Sequence, residues 1–295
     1  MATAGGASFL AMRREIPLFF PPMLRRFIMS MLYLLLLLPI GYLAICTLLY
    51  FKQDRMVFIP TKGKEADLDK RATEWAFEPW KNAQGERIGW QSREGDPQNV
   101  LLVFSGNGGQ ALNRVHYREF TETAGDWKTY LLEYPGYGAR SGVPSEASVN
   151  NAAAEAIDTL ASVPGRTIWL LGESLGSGVA SAAVAQRADK IAGLVLVTPY
   201  NSLADAASSH YPWLPVKQLL RTRFDSVQNL SNYRGPVAFV VGKYDDVIPP
   251  KLSQALFDSY GSKKQLWESP RHDHNVSGFL DKEWTEIANW LRENR

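Results

Sequence analysis

A serine lies where an apolar run meets a stretch of small residues in the middle of the chain. The run 167–171 (TIWLL) leads into Gly172-Glu173-Ser174-Leu175-Gly176, a Gly-x-Ser-x-Gly pattern. A serine at the tip of a tight strand-to-helix turn needs small residues two positions to either side, because bulky ones would collide as the chain doubles back. The pattern predicts a nucleophile elbow with Ser174 as the nucleophile. The Leu175 backbone N–H would then face an oxyanion formed there.

A serine hydroxyl is a weak nucleophile unless a neighbouring base removes its proton. The chain has four histidines. We expect His116, in the first crossover helix, and His210, before an aromatic segment, to be structural or surface residues. His272 and His274 follow the last apolar run. His274 is preferred because it lies farther into the loop, where the chain can swing over the elbow, and His272 is the alternative.

An acidic residue is needed to orient such a base and to stabilise its cation. Asp245 and Asp246 directly follow the apolar run 237–241, and either could serve. An alternative for the sequence His272-Asp273-His274 is a metal site, but no other cluster with ligand spacing offers the remaining ligands. We therefore expect no metal and no organic cofactor.

The elements that must position these residues follow from the hydrophobic pattern. Short apolar runs alternate with helix-length segments, which is typical of buried parallel strands joined by crossover helices. Two earlier segments, 74–77 and 87–91, predict an antiparallel hairpin. The predicted fold class is α/β, a mostly parallel central sheet flanked by helices. The apolar runs are 100–104, 129–132, 168–171, 194–197, 237–241 and 265–267.

In open α/β sheets, working residues gather beyond the carboxyl ends of the strands. The loop after 100–104 contains Asn107 between two glycines, and its backbone N–H is the predicted second oxyanion donor. Tyr134 and Tyr137, in the loop after the next strand, and Trp213 are predicted to line the pocket; packing of the two tyrosines under the Pro135-Gly136 turn is the alternative. Trp213 belongs to the segment 200–224, the predicted cap.

The N-terminal part of the chain has a different character. Residues 27–51 contain no charge, and a run of 25 residues is enough for a tilted membrane-spanning helix. A cleaved signal peptide is the alternative, although its apolar region is usually shorter and ends in small residues. The expected domains are a tail at 1–26, an anchor at 27–51 and the main domain at 52–295.

The orientation of the predicted anchor depends on the charges beside it. Positive residues lie on both sides, and the pair Arg25-Arg26 favours an N-terminus in the cytoplasm. We expect a single-pass protein of the inner or plasma membrane with the main domain on the non-cytoplasmic side. A cytoplasm-facing domain on the same anchor is the alternative.

Composition excludes several other classes of protein. The formal net charge is +2 and no block of Lys or Arg stands out, so no nucleic-acid partner is expected. Cys46 is the only cysteine, which excludes an intramolecular disulfide and a cysteine-based metal site. With 45% hydrophobic residues, the chain can bury a large core.

The order Ser, Asp, His with a Gly-x-Ser-x-Gly elbow resembles the α/β-hydrolase fold. More narrowly, the motifs at 134–138 (YPGYG) and 210–215 (HYPWLP), with a membrane anchor, resemble the ABHD13/Bem46 group and its ABHD17-like relatives. This resemblance extends from about Phe51 to the C-terminus. It implies Asp245 as the acid and His274, followed by Asn, as the base. Relatives usually carry His-Gly-Asn in the first loop, where this chain has Ser105.

The residues and the resemblance together predict a membrane-anchored serine hydrolase that cleaves an ester or thioester. The expected substrate is an acylated small molecule, a lipid or a lipidated protein, and removal of fatty acyl groups is what the resemblance implies. An amidase, a peptidase or an acyltransferase would use the same triad. A non-catalytic scaffold on a hydrolase fold is the alternative outside enzymes.

Overall fold

The structure, a computed structural model, describes residues 21–93, 95–123 and 125–295. The chain divides into two units, Met1–Leu48 and Leu49–Arg295. The strands are β1 (Ile59–Pro60), β2 (Phe77–Lys81), β3 (Arg87–Ser92), β4 (Asn99–Phe104), β5 (Gly108–Gly109), β6 (Trp127–Leu132), β7 (Thr167–Glu173), β8 (Ile191–Val197), β9 (Val237–Gly242) and β10 (Lys264–Ser269). The helices are α1 (Pro22–Val57), α2 (Glu65–Glu74), α3 (Tyr117–Thr123), α4 (Glu146–Ala161), α5 (Leu175–Arg187), α6 (Leu203–His210), α7 (Val216–Leu219), α8 (Ser226–Leu230), α9 (Pro250–Ser259) and α10 (Ser277–Glu293).

Eight strands form the central sheet in the order β10-β9-β8-β7-β4-β6-β3-β2. The neighbours from β10 to β6 are parallel, and only β3 and β2 are antiparallel to their neighbours. The predicted fold class is confirmed. The five loops that are predicted to carry site residues, those after β4, β6, β7, β9 and β10, therefore leave the same edge of the sheet.

The sheet is covered on both faces. Along β4, Val100, Leu102 and Phe104 belong to one core cluster, while Leu101 and Val103 belong to the other. This alternation follows from the two-residue period of a strand. Helices α4 and α5 contribute to the first cluster, and α3 and α10 contribute to the second. The continuous apolar runs are thus explained by burial on both sides.

The predicted hairpin is correct in its second strand and wrong in its first. Segment 74–77 was expected to be a strand, but Glu74 ends helix α2 and β2 starts at Phe77. Two acidic residues in the first turn favour α2, and Leu68 and Ala72 bury one face at helical spacing. Ala76 has a positive φ of 54°, which reverses the chain between the two elements.

Helix α1 is long and apolar enough to cross a membrane. It continues to Val57, six residues beyond the predicted end of the anchor, and the second unit begins at Leu49 rather than at residue 52. Residues 52–57 are helical although several of them are charged, so the end of the uncharged run is not the end of the helix. Residues 1–20 of the predicted tail lie outside the described part of the chain.

One carboxylate is buried close to the working edge of the sheet. Glu133 follows β6 and is 4% exposed. Its Oε1 accepts a hydrogen bond from the Ala111 backbone N–H at 2.9 Å, and its Oε2 accepts one from Trp90 Nε1 at 3.4 Å. Burial raises the pKa of Glu133 from 4.5 to about 7, because desolvation outweighs these hydrogen bonds.

The raised pKa of Glu133 makes stability depend on pH. Between about pH 4.5 and 7 the folded protein binds the proton more tightly than the unfolded chain, so Glu133 lowers stability as pH rises, by at most about 1.4 kcal/mol per pH unit. We expect Glu133→Gln to make stability depend less steeply on pH in this range. Melting temperatures of the full chain in detergent from pH 5 to 8 measure it, with the exposed Glu74→Gln as control. An unchanged slope in Glu133→Gln would contradict the assignment.

Candidate active site

Ser174 lies between β7 and α5 with φ 52° and ψ −118°. A positive φ is strained for a residue with a side chain and is typical of the tip of a nucleophile elbow. The surrounding glycines make the turn possible. A Cβ on Gly172 would collide with the Gly176 carbonyl, and a Cβ on Gly176 would collide with the Phe104 carbonyl. The elbow therefore packs directly against the end of β4.

His274 and Asp245 meet beyond the ends of β10 and β9. Nδ1 of His274 lies 2.8 Å from Oδ2 of Asp245, whose side chain is 3% exposed. The other carboxylate oxygen accepts hydrogen bonds from the Val247 and Ile248 backbone N–H groups at 2.9 and 2.7 Å. Both oxygens of Asp245 are thus held, and Nε2 of His274 is the ring nitrogen that does not contact Asp245.

The two alternative residues have other surroundings. Asp246 is exposed to solvent. Nδ1 of His272 lies 2.6 Å from the Ser269 hydroxyl. Gly242 allows the last loop to approach Asp245, because a Cβ there would collide with the Asp273 carbonyl. The two loops therefore pack closely together, and within the last loop it is His274, rather than His272, that contacts the Asp245 carboxylate.

Four of the predicted site residues line one cavity in the unit Leu49–Arg295. They are Asn107, Ser174, Leu175 and His274, and the cavity has a volume of about 540 Å³. The cap segment supplies much of the remaining lining, including Leu203, Ala207, His210, Tyr211, Leu214, Val216 and Leu219. The predicted nucleophile, the predicted base and the two residues of the predicted oxyanion donors therefore line one largely apolar space.

Comparisons with known proteins agree with this geometry. Residues 99–232 match a family described as having the alpha/beta hydrolase fold. An uncharacterized protein of Mycobacterium tuberculosis is 30% identical over 243 residues, which cover 80% of this chain and 85% of that protein. The chain belongs to the α/β-hydrolase family. Protein bem46 of Schizosaccharomyces pombe is 28% identical over 211 residues, 69% of this chain and 71% of bem46, which confirms the resemblance to the Bem46 group.

Solved structures of this hydrolase fold give the same picture. The Pyrococcus furiosus esterase Pf2001 superposes with a TM-score of 0.60 at 13% identity, covering 80% of this chain and 98% of the esterase. The Paleococcus ferrophilus monoacylglycerol lipase gives a TM-score of 0.52 at 22% identity, covering 68% of this chain and 97% of the lipase. At these identities the likeness shows the fold alone.

Two of the residues predicted to line the pocket, Tyr134 and Tyr137, lie elsewhere in this α/β-hydrolase. Tyr134 and Tyr137 are each 1% exposed and do not line the cavity. The Tyr134 hydroxyl donates a hydrogen bond to the Ser105 carbonyl at 2.9 Å, and the Tyr137 hydroxyl donates one to the Asn107 carbonyl at 2.7 Å. The Asn107 carbonyl also accepts from the Ile59 N–H at 3.0 Å. These tyrosines hold the loop that carries Asn107.

The cap differs from expectation at two residues. Trp213 was predicted to wall the pocket, but it is 56% exposed and lies outside the cavity lining, which its neighbours Tyr211 and Leu214 contribute. His210, expected to be structural or superficial, lines the cavity, and its Nε2 lies 2.7 Å from the Val247 carbonyl. The bend at 211–215 turns Trp213 outward between two lining residues.

Sequence reasoning missed a charged group directly below the elbow. Glu173 precedes Ser174, and its two carboxylate oxygens lie 2.7 Å from Nη2 and Nε of Arg114. The Tyr117 hydroxyl donates to the same carboxylate at 3.0 Å. Arg114 also approaches Gly106, in the loop that carries Asn107. The ion pair thus lies beside both backbone segments that carry the predicted oxyanion donors, and no sequence motif marked it.

We expect Tyr137→Phe to weaken catalysis by removing a hydrogen bond that holds the Asn107 loop. Turnover of a soluble ester should fall about 10-fold, less than the 10²- to 10³-fold loss that accompanies removal of an oxyanion donor itself. Steady-state kinetics should place the change in kcat. Tyr244→Phe, an exposed tyrosine outside the cavity lining, is the matched control. Equal kcat values in the two variants would contradict this role.

Proposed function

We propose that the protein is a serine hydrolase that cleaves carboxylic ester or thioester bonds in an acylated molecule. The observation that carries the proposal is that Ser174 and His274 line the same cavity while Asp245 binds the far side of the His274 ring. That arrangement supports nucleophilic catalysis assisted by a base. The esterases and lipases among the structural neighbours are consistent with it.

The proposed reaction runs through an acyl-enzyme. The Ser174 hydroxyl oxygen attacks the acyl carbon while Nε2 of His274 takes its proton. The Leu175 and Asn107 backbone N–H groups bind the negative oxygen of the tetrahedral intermediate. The imidazolium then protonates the departing alcohol or thiol. A water molecule, deprotonated by His274, attacks the acyl-enzyme and releases the carboxylic acid and free Ser174.

Asp245 acts on His274 and does not touch the acyl group. Its carboxylate fixes the ring with a proton on Nδ1, which leaves Nε2 free to accept the serine proton, and it stabilises the imidazolium that forms. The two backbone N–H groups on its other oxygen prevent the carboxylate from rotating away.

The proposed substrate is an acyl lipid or an acylated protein at a membrane. The apolar lining of the cavity suits a hydrocarbon chain better than a polar acyl group. Helix α1, long and apolar enough to span a membrane, supports a membrane-anchored enzyme. We further propose, from the pair Arg25-Arg26, that the catalytic unit lies on the non-cytoplasmic side.

Substitution of the three catalytic residues tests the mechanism. We expect Ser174→Ala to abolish labelling by a fluorophosphonate probe and to lower p-nitrophenyl ester turnover by about 10⁴-fold or more. His274→Ala and Asp245→Asn should also cripple turnover, while the neighbouring variants His272→Ala and Asp246→Asn serve as matched controls. Wild-type turnover in purified Ser174→Ala would disprove the proposed nucleophile.

The remaining outcomes of that experiment separate the other functions. Peptide amides cleaved faster than esters would favour an amidase or a peptidase, and acyl transfer to an added alcohol in preference to water would favour an acyltransferase. A folded wild-type protein without probe labelling would favour a scaffold. Inactivity of His272→Ala together with activity of His274→Ala would reassign the base to His272.

Membrane anchoring and orientation are tested by fractionation. We expect the full-length protein to pellet with membranes and to resist carbonate extraction, because exposing an uncharged helix to water is costly. Protease added to sealed cells or spheroplasts should digest the catalytic unit and spare cytoplasmic markers. Digestion only after lysis would reverse the orientation, and recovery in the soluble fraction would remove the anchor.

A further inference from the structure

One wall of the cavity is a stretch of helix that precedes the hydrolase sheet. Leu49, Tyr50, Gln53, Met56 and Val57 all line the cavity. Their spacing of i, i+1, i+4, i+7 and i+8 places them on one face of a helix. Four of the five have largely apolar side chains, and the proposed catalysis uses none of the five.

This stretch, the wall helix (Leu49–Val57), is bound to the end of α7 and to the segment that follows it. Gln53 is 6% exposed, its amide nitrogen donates to the Leu219 carbonyl at 3.1 Å, and its amide oxygen accepts from the Arg221 backbone N–H. The Arg221 guanidinium lies 2.7 Å from Asp54 and stacks over the Tyr50 ring at 5.2 Å. A buried amide that satisfies two backbone groups of the cap fixes the wall helix against it.

Apolar packing continues the same contact. Val57 packs against a small cluster made by Ala204, Val216 and Leu220 of the cap. The cavity between these elements, about 540 Å³, falls within the ~300–1,000 Å³ typical of sites for small organic ligands. The residues that line it apart from the reacting groups are mostly aliphatic, so the ligand chemistry that fits is a hydrocarbon chain.

We propose that the wall helix and the facing cap form an acyl-chain subsite, in which Leu49 and Leu219 determine the chain length accepted. The proposal rests on the proposed serine-hydrolase function and specifies its substrate as a medium- or long-chain acyl group. Gln53 is a positioning residue that holds the two walls at a fixed distance. The segment before residue 52 is therefore part of the substrate site, and a chain cut there would lose Leu49 and Tyr50.

Chain-length profiles of the full-length protein in nanodiscs test the subsite. With p-nitrophenyl acetate, butyrate, octanoate and laurate, we expect wild-type kcat/KM to rise about fourfold per methylene until the cavity is filled. Leu49→Trp on the wall helix and Leu219→Trp on the cap each reduce the space left for the chain, so each should lower the laurate-to-acetate ratio of kcat/KM at least 10-fold. Phe51→Trp, on the exposed side of the same helix and outside the lining, should leave the profile unchanged.

Two further variants test whether Gln53 acts by positioning the wall helix or only by filling space. Gln53→Leu keeps the side-chain volume but removes both hydrogen bonds to the cap, so KM for laurate should rise several-fold. Lys52→Leu, next to it and exposed, is the control. If the laurate-to-acetate ratio of kcat/KM is unchanged in Leu49→Trp and Leu219→Trp, the proposed subsite is wrong. If the KM for laurate is unchanged in Gln53→Leu, the proposed positioning role of Gln53 is wrong.

A cross-linking probe locates the chain directly. A fluorophosphonate with a terminal diazirine on a ten-carbon chain should label Ser174 and, after illumination, cross-link to residues 49–57 or 214–220. Cross-links confined to other residues would overturn the subsite while leaving the serine hydrolase intact. Absence of any Ser174-dependent labelling or ester hydrolysis would overturn the function itself and the subsite with it.

Discussion

The site depends on one steric constraint, the tight reversal of the chain between β7 and α5. Ser174 has a positive φ, and Gly172 and Gly176 lie so close to neighbouring carbonyls that neither position has room for a Cβ. This packing sets the start of α5 against the end of β4. As a result, the loop that follows β4 and the turn that follows β7 both reach the edge of one cavity.

The groups around the elbow are held by neighbours that take no part in the proposed chemistry. Asp245 is fixed by two backbone N–H groups, the Asn107 loop by two tyrosine hydroxyls, and Glu173 by Arg114. The support of Asp245 comes from its own loop, whereas the supports of the Asn107 loop and of Glu173 come from elements distant in sequence. Preorganisation of this kind lets a site stabilise developing charge without first rearranging.

The sequence predicted those features whose physical cause is local. The elbow at Ser174, the order of the working loops and the parallel strands follow from glycine spacing and from apolar runs. It failed where tertiary contacts decide. Segment 74–77 is too short for its periodicity to separate a strand from the end of a helix, and the inward positions of Tyr134 and Tyr137 depend on which backbone carbonyls lie beneath them. The sequence did not predict the wall helix, because an uncharged run does not indicate where a candidate membrane span ends and a helix packed against the cap begins.

Ser105 has a consequence for how such enzymes are recognised. It stands where the resemblance to the Bem46 group predicts a histidine, yet the hydrogen bond that joins this position to Tyr134 uses only its backbone carbonyl. Since every amino acid provides that carbonyl, the side chain there is free to drift during evolution so long as it fits a buried space. A search keyed to His-Gly-Asn would pass over sequences such as this one.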